Sequence, residues 1–436
     1  MSVKRTAIEH LLTWNQTEDV RPVILTGAKG VGKTYLACDF AKSFYKQYVY
    51  VNLEHDKYAS ELFKLKDPFR ISNLLLEHYF VERTVSSQDN LYDERLLILD
   101  EAGYCPESFQ MLTELQYTGE FPHIIAISSN PVKKEILDLY FHIPVYPMLF
   151  NEFLVAIAKD WYIETIITHY ETNKKIPYIV HNELLNLYKL YLMIGGMPGV
   201  INEYLNFDDL ANITEYHMFL LGTYRNYLSY ICSDSDALKM NQVLSSIPFQ
   251  LMKENKKFQY RLIRKGTTHA MYKDAIKNLA DRNYIIPSYK ILSDDLYDLY
   301  NLLEQGRLNV NDITNFKLYL SDVGILHSLI SKQYKPPLNN LAKEALIENY
   351  VAETLHANGY PIIFWESDST AKIDFLVSKE GYIIPVELFS DENTRSKNIS
   401  VFKQKTDFPY AIKISAKNFG YSKNVKYVPY YAAFCI

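Results

Sequence analysis

Eight consecutive residues, Gly27-Ala28-Lys29-Gly30-Val31-Gly32-Lys33-Thr34, fit the pattern G-x-x-x-x-G-K-[ST]. Each residue type has a chemical reason to stand where it does. Glycines let the backbone turn tightly enough for several N–H groups to face phosphate oxygens. An amine at Lys33 reaches β- and γ-phosphates, and a hydroxyl at Thr34 ligates magnesium. The chain holds 15 glycines in 436 residues and three of them fall in these eight, so chance clustering is a poor account. A second acidic element follows in Arg95-Leu-Leu-Ile-Leu-Asp100-Glu101. An apolar run ending in an acid suits a buried strand that presents Asp100 to magnesium, and Glu101 beside it suits polarisation of an attacking water. A further apolar run ends in Ser128-Ser129-Asn130. Asn130, ahead of Ser128, is the side chain expected to orient that water beside the γ-phosphate, although Pro131 after it also fits a plain Asn-Pro turn.

These groups need a scaffold that carries several strand ends to one edge. Pro22–Thr26, Tyr48–Leu53, Arg95–Asp100, His123–Ser128 and Pro144–Met148 are short, apolar and β-branched, and Lys33–Tyr45 has helical length and spacing. That alternation predicts an α/β fold, a parallel sheet with helices on both faces. A helix opening at Lys33 adds its positive end to the phosphate site. ATP and Mg2+ are the expected ligands.

The tail carries a second set of acids. Leu341–Asn358 has helical spacing, with Glu348 on its apolar side among Ala345, Val351, Ala352 and Leu355. Ile373–Val377 and Tyr382–Leu388 read as a hairpin turning at Glu380-Gly381, which pairs 379 with 382 and extends to 374 opposite 387. Asp374 and Glu387 would then be cross-strand neighbours with Cβ atoms about 5 Å apart, and two carboxylates so placed need a cation or a shared proton. Glu348, Asp374 and Glu387 together resemble the PD-(D/E)xK nuclease pattern, in which carboxylates hold magnesium and a lysine two residues on activates water. Phe389 stands at the lysine position. The resemblance therefore implies the fold with part of a metal site and no cleavage, Lys403 and Lys405 being the nearby lysines on the next helix.

Between these ends, residues 154–232 are mostly helical in pattern and suit a lid over the nucleotide. Ala237–Ser246 and Thr268–Arg282 are helical, and Tyr284–Ile291 could form the wing hairpin of a winged helix. Tyr272, Ile276, Leu279 and Ala280 make an inward stripe on the second helix, with Lys273 and Lys277 on another face. Lys253, Lys256, Lys257, Arg261, Arg264 and Lys265 precede it, a local basic excess. Two readings stay open here, DNA held through phosphate contacts and a packing module whose charges are merely solvated.

Several motifs together resemble the bacterial and archaeal AAA-type ATP-binding proteins that carry a C-terminal domain of unknown function. They are the P-loop, Tyr50-Val-Asn-Leu-Glu54, the Leu-Asp-Glu strand, Pro147–Phe153, Gly195-Gly-Met-Pro-Gly199 and Phe316–Gly324. The resemblance implies an AAA+ core at 1–153, a helical lid at 154–235, a winged-helix segment at 236–300, connecting helices at 301–340 and a nuclease-like end at 341–436. It also implies an arginine just before the fifth strand, where this chain reads Asp138-Leu-Tyr-Phe-His-Ile143.

A net charge of -5 argues against a chain that coats nucleic acid non-specifically. Cys38, Cys105, Cys232 and Cys435 are widely spaced with no CxxC pair, which fits a reducing compartment. No signal-like run opens the sequence and no apolar stretch has the length of a membrane span, so a cytoplasmic protein without a membrane partner is expected. The expected activity is ATP hydrolysis that rearranges DNA- or protein-binding C-terminal domains, alone or in a homo-oligomer. The alternatives are a slow or non-hydrolysing switch and, last, an ATP-dependent nuclease.

Overall fold

The structure is a computed structural model that describes residues 5–17, 21–83, 92–207, 210, 212–291, 299, 315–334, 337–367 and 370–436. It forms two compact units, Met1–Tyr146 and Pro147–Ile436.

The first unit is built on a six-stranded sheet. In chain order its strands are β1 (Val23–Thr26), β2 (Tyr45–Asn52), β3 (Val81–Arg83), β4 (Tyr92–Asp100), β5 (His123–Ser128) and β6 (Phe141–Pro144). They lie in the order β3-β2-β4-β5-β1-β6. Every neighbouring pair is parallel except the edge pair β2–β3. Ile24, Val49, Leu97, Leu99, Ile124 and Ala126 bury one face beneath Phe63, Leu112 and Leu115. Such near-continuous apolar strands are what helices on both sides of a parallel sheet demand. The strand order carries the C-terminal ends of β1, β4 and β5 to a shared edge, where crossover loops leave room for a ligand. The last strand differs from expectation. It is Phe141–Pro144, in register with Val23–Thr26, rather than Pro144–Met148. Phe141 N and Val145 N donate to Pro22 O and Thr26 O of β1 at 3.0 and 2.7 Å, so Pro144 occupies an edge-strand position whose missing N–H would face away from the ladder.

The second unit opens with helices Phe150–Ala156, Trp161–Thr172, Tyr178–Ile194, Pro198–Phe207, Ile213–Ile231 and Asp234–Leu251. Among the described residues no single helix is long and apolar enough to cross a membrane. Tyr178–Ile194 and Pro198–Phe207 pass by length and composition only as a pair bent by 115°. After the helix His269–Asp281, the expected wing hairpin is instead one strand, β7 (Ile285–Ile291). It pairs antiparallel with β8 (Phe316–Leu320) and parallel with β9 (Ile363–Glu366), which in turn pairs with β10 (Lys372–Ile373). A hairpin within Tyr284–Ile291 would have left this apolar strand half unpaired. The remaining strands, β11 (Phe375–Lys379), β12 (Tyr382–Leu388), β13 (Ala411–Ser415), β14 (Gly420–Ser422) and β15 (Val425–Pro429), form a sheet in the order β11-β12-β13-β15-β14. The β11–β12 hairpin has the register read from the sequence, from Lys379↔Tyr382 to Phe375↔Val386. Its turn residues Glu380 and Gly381 have φ of 51° and 83°, the paired left-handed conformation that suits the twist of a two-residue hairpin.

Three of the sequence motifs meet in this unit. Met148 N donates to Gly196 O at 2.7 Å, and Gly196 N donates to Asp322 Oδ2 at 2.6 Å. Asp322 also caps the helix Val323–Gln333 through Ile325 N at 2.9 Å. The approach requires glycine at 195: its φ is +75°, and a Cβ there would lie 2.4 Å from Asp322 Oδ1. Burial pushes the Asp322 carboxyl up to about 6 despite these N–H donors.

Candidate nucleotide site

The loop after β1 is held from behind. Arg5, itself buried, donates to Val31 O at 2.9 Å and to Tyr146 O at 2.6 Å. Gly27 has φ +149°, and a Cβ there would sit 2.1 Å from Val145 O, so no side chain fits while β6 exits beside it. Gly32, with φ 93°, turns the chain into the helix Lys33–Phe44.

Lys33 is buried and donates to Gly27 O, Ala28 O and Ser129 Oγ at 2.9 Å each. Thr34 Oγ1 donates to both oxygens of Asp100, at 3.1 and 3.0 Å. Asp100, at the end of β4, also accepts from Tyr50 OH at 2.6 Å and from Asn52 Nδ2 at 3.4 Å. The motif Tyr50–Glu54 is thus the far wall of the site. Glu101 follows with φ 52° and ψ 40°, a left-handed conformation that costs a non-glycine residue of order 1–3 kcal/mol and gathers at functional positions. Its backbone N–H is satisfied by Asp100 Oδ1 at 3.0 Å. Its carboxylate accepts from Ser129 Oγ at 2.6 Å and from Ser129 N at 3.1 Å. Ser129 Oγ therefore accepts from Lys33 and donates to Glu101, joining cation and acid in one buried chain.

The structure brings Gly27–Thr34, Asp100 and Glu101 together at the edge formed by β1, β4 and β5. Asn130 lies one residue beyond Ser129, half-buried and close against Gly103, where a Cβ would come within 2.7 Å of Asn130 Cβ. Ser128 turns its hydroxyl back to Asn130 O at 2.8 Å. Sequence reading missed Ser129, Tyr50, Asn52 and Arg5. Three polar residues at a strand end carry no local signal of which one faces the loop. One hydroxyl and one carboxylate converging at the loop fit a magnesium ion, to be held by Thr34 and Asp100.

The three tail acids each have partners of their own. Among the described residues no group of three or more His, Cys, Asp or Glu side chains could hold one. Glu348 is buried, but its carboxylate accepts from Lys256 at 2.5 Å, Lys317 at 2.7 Å and Tyr319 OH at 2.7 Å. Burial opposes its charge, and the two ammonium groups overcome that and hold the carboxyl well below the usual range. Asp374 accepts from Leu388 N at 2.8 Å and lines a cavity of about 290 Å3 with Lys256, Glu348 and Phe389. Burial, with Glu348 beside it, pushes its carboxyl up. Glu387 accepts instead from Ser396 at 2.5 Å and Asn398 at 2.8 Å, with Lys413 Nζ 3.3 Å away. Lys413 comes from β13, the register partner of Glu387, and lies 5.0 Å over the Phe389 ring. The basic excess shrinks for the same reason. Lys256 is spent on Glu348 and Lys257 pairs with Glu366, while Arg261, Arg264, Lys265, Lys273 and Lys277 stay exposed.

Fold and site together define an α/β P-loop NTPase-like core with a parallel sheet. A family model described as an AAA domain matches residues 19–154. Residues 185–335 match a domain of unknown function (DUF8612), and residues 343–433 match another (DUF4143). No curated protein sequence matches the chain. Among solved structures it is similar to the Walker-type ATPase PABY2304 of Pyrococcus abyssi, at 13% identity and TM-score 0.44 over 75% of this chain and 96% of that one. Cdc6p from Pyrobaculum aerophilum gives 12% and 0.26 over 76% and 96%. The Orc1 protein of Aeropyrum pernix in complex with DNA gives 13% and 0.29 over 74% and 90%.

Proposed function

We propose that the first unit binds ATP with magnesium and hydrolyses it to ADP and phosphate, with the second unit as the part that responds. The observation that carries the reading is the buried chain Lys33–Ser129–Glu101 beside the Thr34–Asp100 contact. Lys33 offsets charge on the β- and γ-phosphates. Thr34 and Asp100 would hold magnesium, which would supply neutralisation of phosphate charge. Glu101 takes a proton from water as its oxygen bonds to the γ-phosphorus and the bond to the bridging oxygen breaks, leaving ADP. Ser129 fixes the Glu101 carboxylate for that task, and Asn130 is placed to orient the water. Lys33→Ala is expected to weaken ATP binding by about a hundredfold or more, since it removes a buried charged donor. Titration calorimetry checks this, and unchanged affinity would place the site elsewhere. A slow, switch-like turnover is the second reading, favoured by the stretch Asp138–Ile143, which contains no arginine.

The same lysine gives a pH signature. Burial pushes the Lys33 ammonium down to about 8, against the pull of Glu101 and Asp100. A polyphosphate against it favours the charged form, so binding takes up protons above about pH 8. ATP affinity is expected to fall as pH rises through that value. Calorimetry in two buffers of different ionisation heat reads the uptake directly, and an affinity that is flat across the alkaline range excludes it.

A further inference from the structure

Lys29 lies inside the phosphate-wrapping loop, and neither the Lys33 chain nor the magnesium set uses its side chain. Its ammonium donates to both oxygens of Glu54 at 2.9 Å each. Tyr104 OH donates to Glu54 Oε1 at 2.9 Å. The turn that presents Glu54 is fixed by Asn52, whose Oδ1 accepts from Glu54 N at 3.0 Å and His55 N at 3.1 Å. Tyr104 closes the short helical turn Ala102–Tyr104 that begins directly after Glu101. One ion pair thus ties the P-loop to the end of β2 and to the loop that carries the water-polarising acid. Burial opposes the charge of Glu54, and the bonds from Lys29 and Tyr104 overcome it. The Lys29 and Glu54 side chains are 26% and 15% exposed, so the pair sits at the mouth of the site. Either ion can change partner there without a charge being stranded in the core.

We propose that Lys29 recognises the terminal phosphate: ATP draws it off Glu54, whereas ADP, lacking that phosphate, leaves the pair closed. The inference rests on the nucleotide-site reading above. The loop position supplies the proximity, because residues between the first and last glycines wrap the phosphates. Tyr104 remains on Glu54 when Lys29 departs, so the carboxylate keeps a donor. A charge-assisted bond made to one nucleotide and not the other discriminates by about tenfold to a hundredfold.

The test is calorimetric titration of the full chain with magnesium, using ADP and a non-hydrolysable ATP analogue. Lys29→Ala is expected to lose about tenfold or more in affinity for the ATP analogue and less than about twofold for ADP. Lys29→Arg keeps the preference, which identifies the loss as one of charge. Glu54→Gln removes the competing acid and is expected to raise the preference for the ATP analogue. Equal losses for both nucleotides in Lys29→Ala, or in Glu54→Gln, assign the pair a structural role and overturn the inference. Lys33→Ala in the same series separates the two claims: if it binds both nucleotides normally, the nucleotide-site reading falls and this inference falls with it.

Discussion

Glu101→Gln is expected to bind ATP with near wild-type affinity and to release phosphate about a hundredfold to ten-thousandfold more slowly, the usual share of a positioned general base. The substitution keeps side-chain length and can still accept the Ser129 hydroxyl bond, made at 2.6 Å in the native chain, so the loop geometry survives. What it removes is the capacity to take a proton from water. Binding and turnover therefore separate, and that split is the informative readout: phosphate release in single-turnover conditions beside nucleotide affinity by titration. Hydrolysis at the wild-type rate would remove Glu101 from the role of base. The left-handed backbone at Glu101, φ 52°, raises the stakes of the choice of variant. Glycine there would relieve strain and delete the carboxylate at once, confounding two effects, whereas glutamine changes one.

The second large effect belongs to the tail. Glu348→Ala is expected to destabilise the unit Pro147–Ile436 by about 3–5 kcal/mol, the cost of leaving buried charges without their partner. Lys256 and Lys317 are each only 8% exposed, and Glu348 is 4%. Lys256→Met added to Glu348→Ala should recover part of the loss, because it removes one stranded ammonium group; a double-mutant cycle measures how much. The pH dependence has a definite sign. The folded carboxyl is held below its ordinary value, so its stabilisation is complete above about pH 4 and is lost as pH falls through the lower folded value. Denaturant unfolding of the full chain, followed with probes in each unit, reads both effects. Loss of under about 1 kcal/mol, the range of exposed pairs, would mean that the three charges are solvated.

The two ends of the chain differ in how far sequence could reach. The P-loop, the acidic strand and the hairpin at Glu380-Gly381 were legible because each is encoded over a few consecutive residues. Backbone conformation, strand period and turn chemistry are local properties. Glu348 was legible as an oddity, an acid on the apolar side of a helix, but not as a resolved one. Its partners Lys256 and Lys317 lie far away in the chain, and nothing local to them marks them as buried. The same blindness turned a pair of internally paired lysines into part of a basic surface, and a strand bound to Phe316–Leu320 and Ile363–Glu366 into a wing. Ser129 was passed over in favour of Asn130 because which of three adjacent polar residues faces the loop depends on the exit angle of β5. Tertiary pairing decides such questions.

The meeting of Met148, Gly196 and Asp322 limits how the three segments can vary. The three residues are held together by backbone and carboxylate bonds. A side chain at position 196 would come within 2.1 Å of Met148 O, and one at position 324 within 2.5 Å of Ile194 O. A genetic exchange that replaced one of these segments from a distant relative would bring a mismatched surface into a space with no slack. At this knot the three segments can therefore change only in concert, whichever of them acquires the first new side chain.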